Sequence, residues 1–344
     1  MTATVALTSA GLAPGARRRT PQLLIGFVVT TLALVVLALL SLAVGNKYIP
    51  LPEVWSALSA PGNSYADTVI ASRVPRTLLG LLVGAALAVA GGVMQGLTRN
   101  PLADPGLFGV NTGAAAAIVT ATALGVSGAT SVWVALPGAF LAVIMVYLLG
   151  SGRGRATSVR LVLAGVVVSS VLAAYIQAVS LSLPTVFDAY RFWVIGSLAG
   201  RDPRLILDIL PFIAVGLLLA LALSGSLNAL ALGDDTARAL GAHVGRTRIL
   251  GAVATTLLCA AATAAVGPIS FVGLAVPHIV RSVTGADHRW LLPYCLVAGP
   301  ALLLAADILG RVIVSPAELM VGVITAFVGG PILLLAVRRL KAAA

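Results

Sequence analysis

Charged residues are scarce in this sequence. Only 10% of its 344 residues are Asp, Glu, Lys or Arg, whereas 59% are hydrophobic. A soluble domain has about a quarter of its residues charged, and even a large soluble core needs a charged shell. A soluble protein is therefore excluded. The composition predicts an all-α polytopic membrane protein, because a bilayer demands apolar exteriors and backbone that is hydrogen-bonded within each helix.

Lysine is rarer still, and this excludes one way of binding ATP. A phosphate-binding loop needs Gly-Lys followed by Ser or Thr. The two lysines are Lys47, followed by Tyr48, and Lys341, followed by Ala342. We therefore predict that this chain binds no nucleotide through such a loop, and that any ATPase that drives it is a separate chain.

Histidine and cysteine are too few and too scattered for a metal site. His243, His278 and His288 have no flanking Cys or carboxylate at ligand spacing. Cys259 and Cys295 both lie inside apolar runs, where cysteine acts as a small packing residue. No Ser-His-Asp or paired-carboxylate motif is present, so a membrane enzyme is a weak interpretation. We predict no catalytic residue, no metal and no cofactor bound by this chain.

Long apolar runs are abundant and predict about ten transmembrane helices. The first run follows a basic triplet and is about 22 residues long, the length of a span and not of a cleavable signal. The eighth is too short to cross a bilayer alone, which indicates a half-helix inside the protein. We predict a disordered cytoplasmic tail at 1–22 and one transmembrane domain at 23–340. The predicted span cores are 23–44, 74–94, 107–125, 132–150, 159–181, 205–223, 248–266, 269–282, 291–310 and 320–337.

Basic residues are distributed unevenly between the connecting segments. With the N-terminus inside, the predicted cytoplasmic segments contain 15 of the 22 Lys and Arg residues, and the outer segments contain 7. This bias follows the positive-inside rule and places both termini in the cytoplasm. The net charge of +11 therefore indicates topology and not nucleic-acid binding, because the arginines lie in short breaks between apolar runs.

Charged side chains are nearly absent from the predicted span centres. Asp307 and Arg311 come closest; they lie near the outer end of the ninth span at i, i+4 spacing, which favours a structural pair. Proton- and ion-coupled carriers usually keep charged relays at span centres. An ion-coupled secondary transporter is therefore disfavoured, although it stays open as an alternative.

The longest predicted cytoplasmic segment, 224–247, has the pattern of two short helices. Between Leu227 and Gly241 the helical pattern breaks at Gly233. We expect Asp234 to be the N-cap of the second helix and Gly241 to end it.

This segment also carries apolar side chains that we expect to face water, namely Leu230, Leu232, Ala237 and Leu240. A helix of this kind needs a partner surface. The alternative is an interfacial helix that lies on lipid. Asp234 and Asp235 disfavour it, because an anionic membrane surface would repel two acidic side chains. We therefore predict that the segment docks another protein.

Small residues recur at every fourth position in two spans, which lets helix backbones approach closely in lipid. The two ladders are Gly80, Gly84, Ala88, Gly92, Gly96 and Gly109, Gly113, Ala117, Ala121, Gly125. Residues 48–58 predict a short amphipathic helix on the outer surface.

Three long stretches resemble one family of permeases. They are Arg73 to Val110 (RVPRTLLGLLVGAALAVAGGVMQGLTRNPLADPGLFGV), Pro268 to Arg289 (PISFVGLAVPHIVRSVTGADHR) and Leu303 to Val323 (LLAADILGRVIVSPAELMVGV). These stretches resemble the signatures of FecCD-type permeases of ABC importers, which take up ferric siderophores, haem or cobalamin. The resemblance covers roughly 51–339, and 227–241 resembles the family's ATPase-docking loop. One departure is Gly299-Pro300, where the proline is expected to kink the ninth span.

The resemblance implies a type II ABC importer permease fold with inverted repeats, formed by spans two to five and seven to ten. It implies a pathway between two permease chains in the bacterial cell membrane, paired as a homodimer or a heterodimer. Two ATPase subunits that bind ATP and Mg would attach on the cytoplasmic side, and a substrate-binding protein outside. A ferric siderophore is the commonest cargo of the family; cobalamin and haem are the alternatives.

Site residues follow from the resemblance where motifs match. Arg73, Arg76 and Arg311 match outer-face arginines that receive carboxylates of the binding protein at a wet rim, where charge pairs steer docking. For Arg73 and Arg76, anchoring of the second span is the alternative. The implied cytoplasmic gate is Asn100, Leu102, Thr157 and Ser158. The implied ATPase-coupling residues are Leu227, Leu230, Gly233, Asp234, Asp235, Ala237, Leu240 and Gly241.

Overall fold

All the regular secondary structure of the described residues is helical. The computed structural model describes residues 15–60, 62–126, 132–151 and 158–342, and it has no strand within these ranges. A 3-10 turn, Pro105–Phe108, precedes the fourth helix. The helices are α1 Gly15–Ala43, α2 Leu51–Ser59, α3 Tyr65–Thr98, α4 Val110–Ala123, α5 Val132–Ser151, α6 Ser158–Ser182, α7 Pro184–Trp193, α8 Arg204–Ala222, α9 Ser224–Ala231, α10 Asp234–Ala239, α11 Val244–Val266, α12 Val272–Thr284, α13 His288–Val312 and α14 Val321–Ala342.

The ten predicted spans each correspond to one helix. In the described chain, 7 helices are long and apolar enough to cross a membrane: α1, α3, α5, α6, α8, α11 and α13. Three shorter apolar helices, α4, α12 and the described part of α14, complete the set. The prediction that the eighth run is too short to span alone is confirmed, since α12 has 13 residues.

The predicted tail at 1–22 is wrong at its C-terminal end. Helix α1 already begins at Gly15 and runs through the basic triplet and Pro21. Arginine and leucine favour helix, and extending a formed helix costs little per residue. The helix of the apolar span therefore extends toward the N-terminus into the basic residues that flank it. Residues 1–14 lie outside the described part of the chain.

Helix α3 lies at the centre of the bundle. It packs against α13, α11 and α12, and most of its side chains from Leu79 to Leu97 are buried. Helix α1 and the long helix α6 lie at the periphery and expose aliphatic side chains along their length, such as Val28, Leu32 and Val167. Such surfaces are incompatible with water and suit lipid or a partner subunit.

The glycines of α3 let its backbone touch its neighbours. A methyl group at Gly91 would lie 1.7 Å from the carbonyl oxygen of Gly273 on α12. One at Gly84 would lie 2.6 Å from the Cα atom of Pro300 on α13. The predicted role of the first ladder in close helix packing is confirmed. Helix α13 continues through Pro300 to Val312, so this proline does not end the helix.

The contact at Gly91 predicts a large loss of stability in Gly91→Ala. The methyl group would meet backbone, which cannot move aside as a flexible side chain can, and overpacking costs about 1–3 kcal/mol. Thermal unfolding of the purified protein in detergent measures the effect. Gly245→Ala is the matched control, because nothing lies within 4 Å of a methyl group there. Equal melting temperatures for the two variants would contradict the close contact.

Candidate functional site

Polar side chains gather at the two ends of α3. At its first turns lie Arg73 and Arg76, which approach Arg311 of α13; we call this the arginine end. After its last turn lie Arg99 and the turn 99–103, which approach α10; we call this the loop end.

Asp307 joins two arginines at the arginine end. Its carboxylate accepts from Arg76 at 2.8 Å and from Arg311 at 2.9 Å. The side chain of Asp307 is only 1% exposed. The expected pairing of Asp307 with Arg311 is thus confirmed, and Arg76 is a second partner that the i, i+4 spacing did not reveal. Two positive charges on one buried carboxylate form a network in which each group depends on the others.

Two of the arginines also close the C-terminal end of α1. Arg311 Nη1 donates to the carbonyl oxygens of Ser41 at 2.8 Å and Val44 at 3.0 Å. Arg73 Nη1 donates to those of Leu42 and Ala43 at 2.7 and 3.0 Å. The last carbonyls of a helix have no partner within it and carry partial negative charge, so guanidinium groups satisfy them well.

The predicted wet rim is wrong for two of its three arginines. Arg73 is 8% exposed and Arg311 is 2% exposed, because both guanidinium groups turn inward to backbone carbonyls, and that of Arg311 also pairs with Asp307. Arg76 alone also pairs outward, with Glu318 at 2.7 Å. Glu318 follows α13 by several residues and has no sequence signal that links it to Arg76. The docking role of the three arginines stays a prediction.

At the loop end, α9 and α10 form an elbow, as predicted. Gly233 separates them with φ 106°, and Gly241 follows α10 with φ 81°. Only glycine adopts such conformations without strain. The backbone N–H of Gly241 donates to the carbonyl of Arg238, which ends α10 as expected.

The prediction that Asp234 is an N-cap is wrong. Gly233 occupies that position and Asp234 is the first residue of α10. Its carboxylate turns back to the bundle, where it pairs with Arg99 and, at 3.0 Å, with Arg248. These two ion pairs determine the position of the Asp234 carboxylate. A capping rule considers only neighbouring residues, so it could not predict pairs with distant arginines. Asp234 thus ties the elbow to the ends of α3 and α11.

The apolar residues of the elbow divide into two sets. Leu227, Leu230 and Ala237 are fully buried against the bundle, so the expectation that Leu230 and Ala237 face water is wrong. The elbow folds back on α3 and α13, and burial of these side chains holds it there. Leu232 and Leu240 are 63% and 64% exposed, as predicted. Asp235 pairs on the surface with Arg238 at 2.6 Å.

The predicted gate residues are only partly described. Asn100 is exposed, and its Oδ1 accepts from the backbone N–H of Leu102 at 2.9 Å, which closes the turn after α3. Leu102 is half-buried. Thr157 lies outside the described residues, and of Ser158 only the backbone, at the start of α6, is described. Their joint role as a gate therefore stays a prediction.

Asp104 was not predicted as a site residue. Its Oδ1 accepts from the backbone N–H of Gly106 at 2.7 Å and begins the 3-10 turn. Burial raises the pKa of the Asp104 carboxyl above its usual range. The Asp-Pro-Gly sequence was the signal that could have found this turn.

The sequence of this chain is similar to proteins of one transport family. A sequence model of the FecCD transport family matches residues 33–339. The chain belongs to this family. The FecCD chain is 49% identical over 312 residues to the ferric enterobactin transport system permease protein FepD of Escherichia coli, which covers 90% of this chain and 93% of FepD. It is 39% identical to the vitamin B12 import system permease protein BtuC of Klebsiella pneumoniae, over 92% and 93% of the two chains.

The fold of this FecCD permease also matches a solved structure. That structure is described as an inward-facing conformation of a metal-chelate type ABC transporter. The TM-score is 0.79 at 29% identity, with 92% of this chain and 99% of the other covered. The all-helical permease fold is therefore that of an ABC importer, as the resemblance implied.

Asp307→Asn should strongly destabilise this FecCD permease. The substitution keeps the shape of the side chain but leaves the buried guanidinium of Arg311 without its carboxylate, and breaking a buried pair costs about 3–5 kcal/mol. Asp188→Asn is the matched control, since the Asp188–Arg191 pair is exposed on both sides and such pairs contribute about 0–1 kcal/mol. Thermal unfolding in detergent compares the two. A melting temperature of Asp307→Asn equal to that of the control would refute the network.

Proposed function

We propose that this permease imports a ferric siderophore across the bacterial cell membrane, with both termini in the cytoplasm. The observation that carries the cargo is its 49% identity to a ferric enterobactin permease, against 39% to a vitamin B12 permease. Cobalamin and haem are the alternatives within the family, since a hemin permease of Yersinia pestis is 36% identical.

The elbow supports docking of a separate ATPase. Its inner side is held by Leu227 and Leu230, whereas Leu232 and Leu240 project outward without cover. Exposed leucines on a rigid support are typical of a docking surface. Two ATPase subunits that bind ATP and Mg, one for each permease chain, would sit on these elbows.

The contacts of the elbow define a path for coupling. A displacement of α10 acts directly on α3 and α11, because Asp234 pairs with Arg99 and Arg248. Helix α3 runs to the arginine end, so movement at one end is transmitted along the central helix. The turn of Asn100 and Leu102 lies next to Arg99, and with Thr157 and Ser158 it would form the cytoplasmic gate.

A second permease chain would complete the pathway. Helices α6 and α7 expose apolar side chains, among them Val171, Phe187 and Phe192, on a side that no other described helix covers. A partner chain, identical or related, is the occupant that a pathway between two chains requires.

A substrate-binding protein would dock at the arginine end. Arg76, which already pairs with the partly exposed Glu318, is the arginine placed to meet an incoming carboxylate. Arg73 and Arg311 would contribute mainly by fixing the C-terminal end of α1 in place. To pair with a partner protein, they would first have to break their hydrogen bonds to the carbonyls of α1. Rim charges of this kind steer association more than they strengthen it.

An ion-coupled carrier is the candidate of another class, and Asp307 is the carboxylate it would use. That carboxylate is engaged in ion pairs with Arg76 and Arg311 at the end of the helix, whereas ion-coupled carriers usually keep charged relays at span centres.

Reconstituted vesicles distinguish these functions. With the cognate ATPase and binding protein present, we expect uptake of a radiolabelled ferric siderophore only with ATP. Cobalamin and haemin are offered in parallel. Uptake driven by an ion gradient without ATP would overturn the importer, whereas ATP-driven uptake of only cobalamin or haemin would overturn the cargo alone.

Leu232→Glu with Leu240→Glu should abolish ATPase binding and uptake. Two charges would replace the apolar contacts, while the buried side of the elbow keeps its packing. Co-purification of the ATPase measures binding. Ala286→Glu is the control, since it places a charge at an exposed position of the same end. An ATPase that still co-purifies with the double variant would disprove docking on the elbow.

A further inference from the structure

The short helix α2 has one apolar side that it buries and a second that it exposes. Val54 and Ala57 pack against Ile70 near the start of α3, in a small apolar cluster. Three further apolar side chains share the adjoining side of the helix at i, i+4 and i+7 spacing. They are Leu51, Trp55 and Leu58, which are 51%, 73% and 47% exposed. We call this exposed apolar surface the Trp55 side.

A third side of α2 is polar. Glu53 and Ser56 are both exposed and lie one turn apart. With 3.6 residues per turn, they project nearly opposite the Trp55 side, and the buried side lies between the two. A helix with a separate apolar side and polar side is typical of helices that lie in the plane of a membrane surface.

The connector between α1 and α2 determines the depth of α2. Helix α1 exposes apolar side chains almost to its end, such as Leu39, which is 44% exposed, and none of its most apolar 18-residue window is buried. The connector then folds back on that end. The backbone N–H of Ile49 donates to the carbonyl oxygen of Ala43 at 2.9 Å, and Arg73 Nη2 donates to that of Lys47 at 2.8 Å. Helix α2 therefore begins where the apolar surface of α1 ends.

Amphipathic side chains gather at the same depth. Tyr48 and Tyr65 are 65% and 60% exposed, close to the exposed indole of Trp55 in the chain. The Nζ atom of Lys47 lies 4.8 Å from the centroid of the Tyr65 ring. Tyr and Trp are enriched where hydrocarbon meets water, because each joins an apolar ring to a polar group, and lysine there extends its ammonium group to the polar side. This composition favours a lipid surface as the environment of α2.

We propose that the Trp55 side of α2 inserts into the phospholipid surface at the arginine end. The occupant is lipid, because a soluble protein would approach from the aqueous phase and meet the polar side with Glu53 and Ser56. Since the buried side of α2 packs on Ile70, insertion holds the first turns of α3 at a fixed depth in the membrane. This anchoring role goes beyond the transport function and does not depend on the cargo.

Quenching of Trp55 fluorescence by spin-labelled phosphatidylcholine tests the insertion. The full-length permease is placed in lipid nanodiscs, and the difference in emission between wild type and Trp55→Phe isolates Trp55. We expect a nitroxide at the fifth acyl carbon to quench this emission at least about twofold more than one at the twelfth, because an interfacial helix is buried only to the headgroup and acyl boundary.

Trp193→Phe is the matched control for the quenching experiment. The side chain of Trp193 is only 3% exposed, so the emission that this substitution removes should be quenched little by either label. A Trp55 emission that neither labelled lipid quenches would overturn the proposal, and so would stronger quenching at the twelfth carbon, which would place α2 deep in the bilayer.

Maleimide labelling of Leu58→Cys and Ser56→Cys compares the two sides of α2 directly. Both positions are exposed, and the natural cysteines Cys259 and Cys295 are buried. In nanodiscs, a water-soluble maleimide should label Leu58→Cys at least about tenfold more slowly than Ser56→Cys, because an apolar environment disfavours the reactive thiolate. Equal rates would overturn the insertion. Fast labelling of Leu58→Cys that slows only when the substrate-binding protein is added would do so as well, and would assign the Trp55 side to that protein.

Discussion

The backbone contact of α3 with α12 and α13 is the constraint on which the rest of the bundle depends. Lipid supplies no hydrophobic force that draws helices together, so association relies on close packing. Gly91 on Gly273 and Gly84 on Pro300 remove the side chains that would separate these helices. Helix α3 is thereby held at the centre, so the residues at its two ends become central to the two ends of the bundle. Arg73 and Arg76 lie at one end, and Arg99 and the turn 99–103 lie at the other.

The buried charges follow from this arrangement. Arg311 and Asp307 lie at one end, where the carbonyls of α1 and a second arginine compensate them. Asp234 lies at the other end between two arginines. Placed there, the charges hold helix ends together and leave the apolar middle free of strong binding groups, which suits a pathway that must release its cargo.

Hydropathy predicted the helices well because bilayer thickness sets the length of a span, and length is visible in sequence. Gly233 and Gly241 were equally predictable, since their conformations favour one residue type. The failures share a different cause. The positions of the Asp234 and Arg311 side chains are determined by partners that are distant in sequence. A rule that considers only neighbouring residues cannot predict those partners. Glu318 gave no signal at all, because only the fold brings it to Arg76.

The arginines at the C-terminal end of α1 also bear on the order of synthesis. Helix α1 is made before α3 and α13, yet the carbonyls of its last turn are satisfied by residues of those later helices. Arg73 follows within α3, whereas Arg311 lies in α13 and is made much later. Until α13 has been translated, the carbonyls of Ser41 and Val44 lack the guanidinium of Arg311. Helix α1 therefore reaches its final environment only after both α3 and α13 have been translated and inserted.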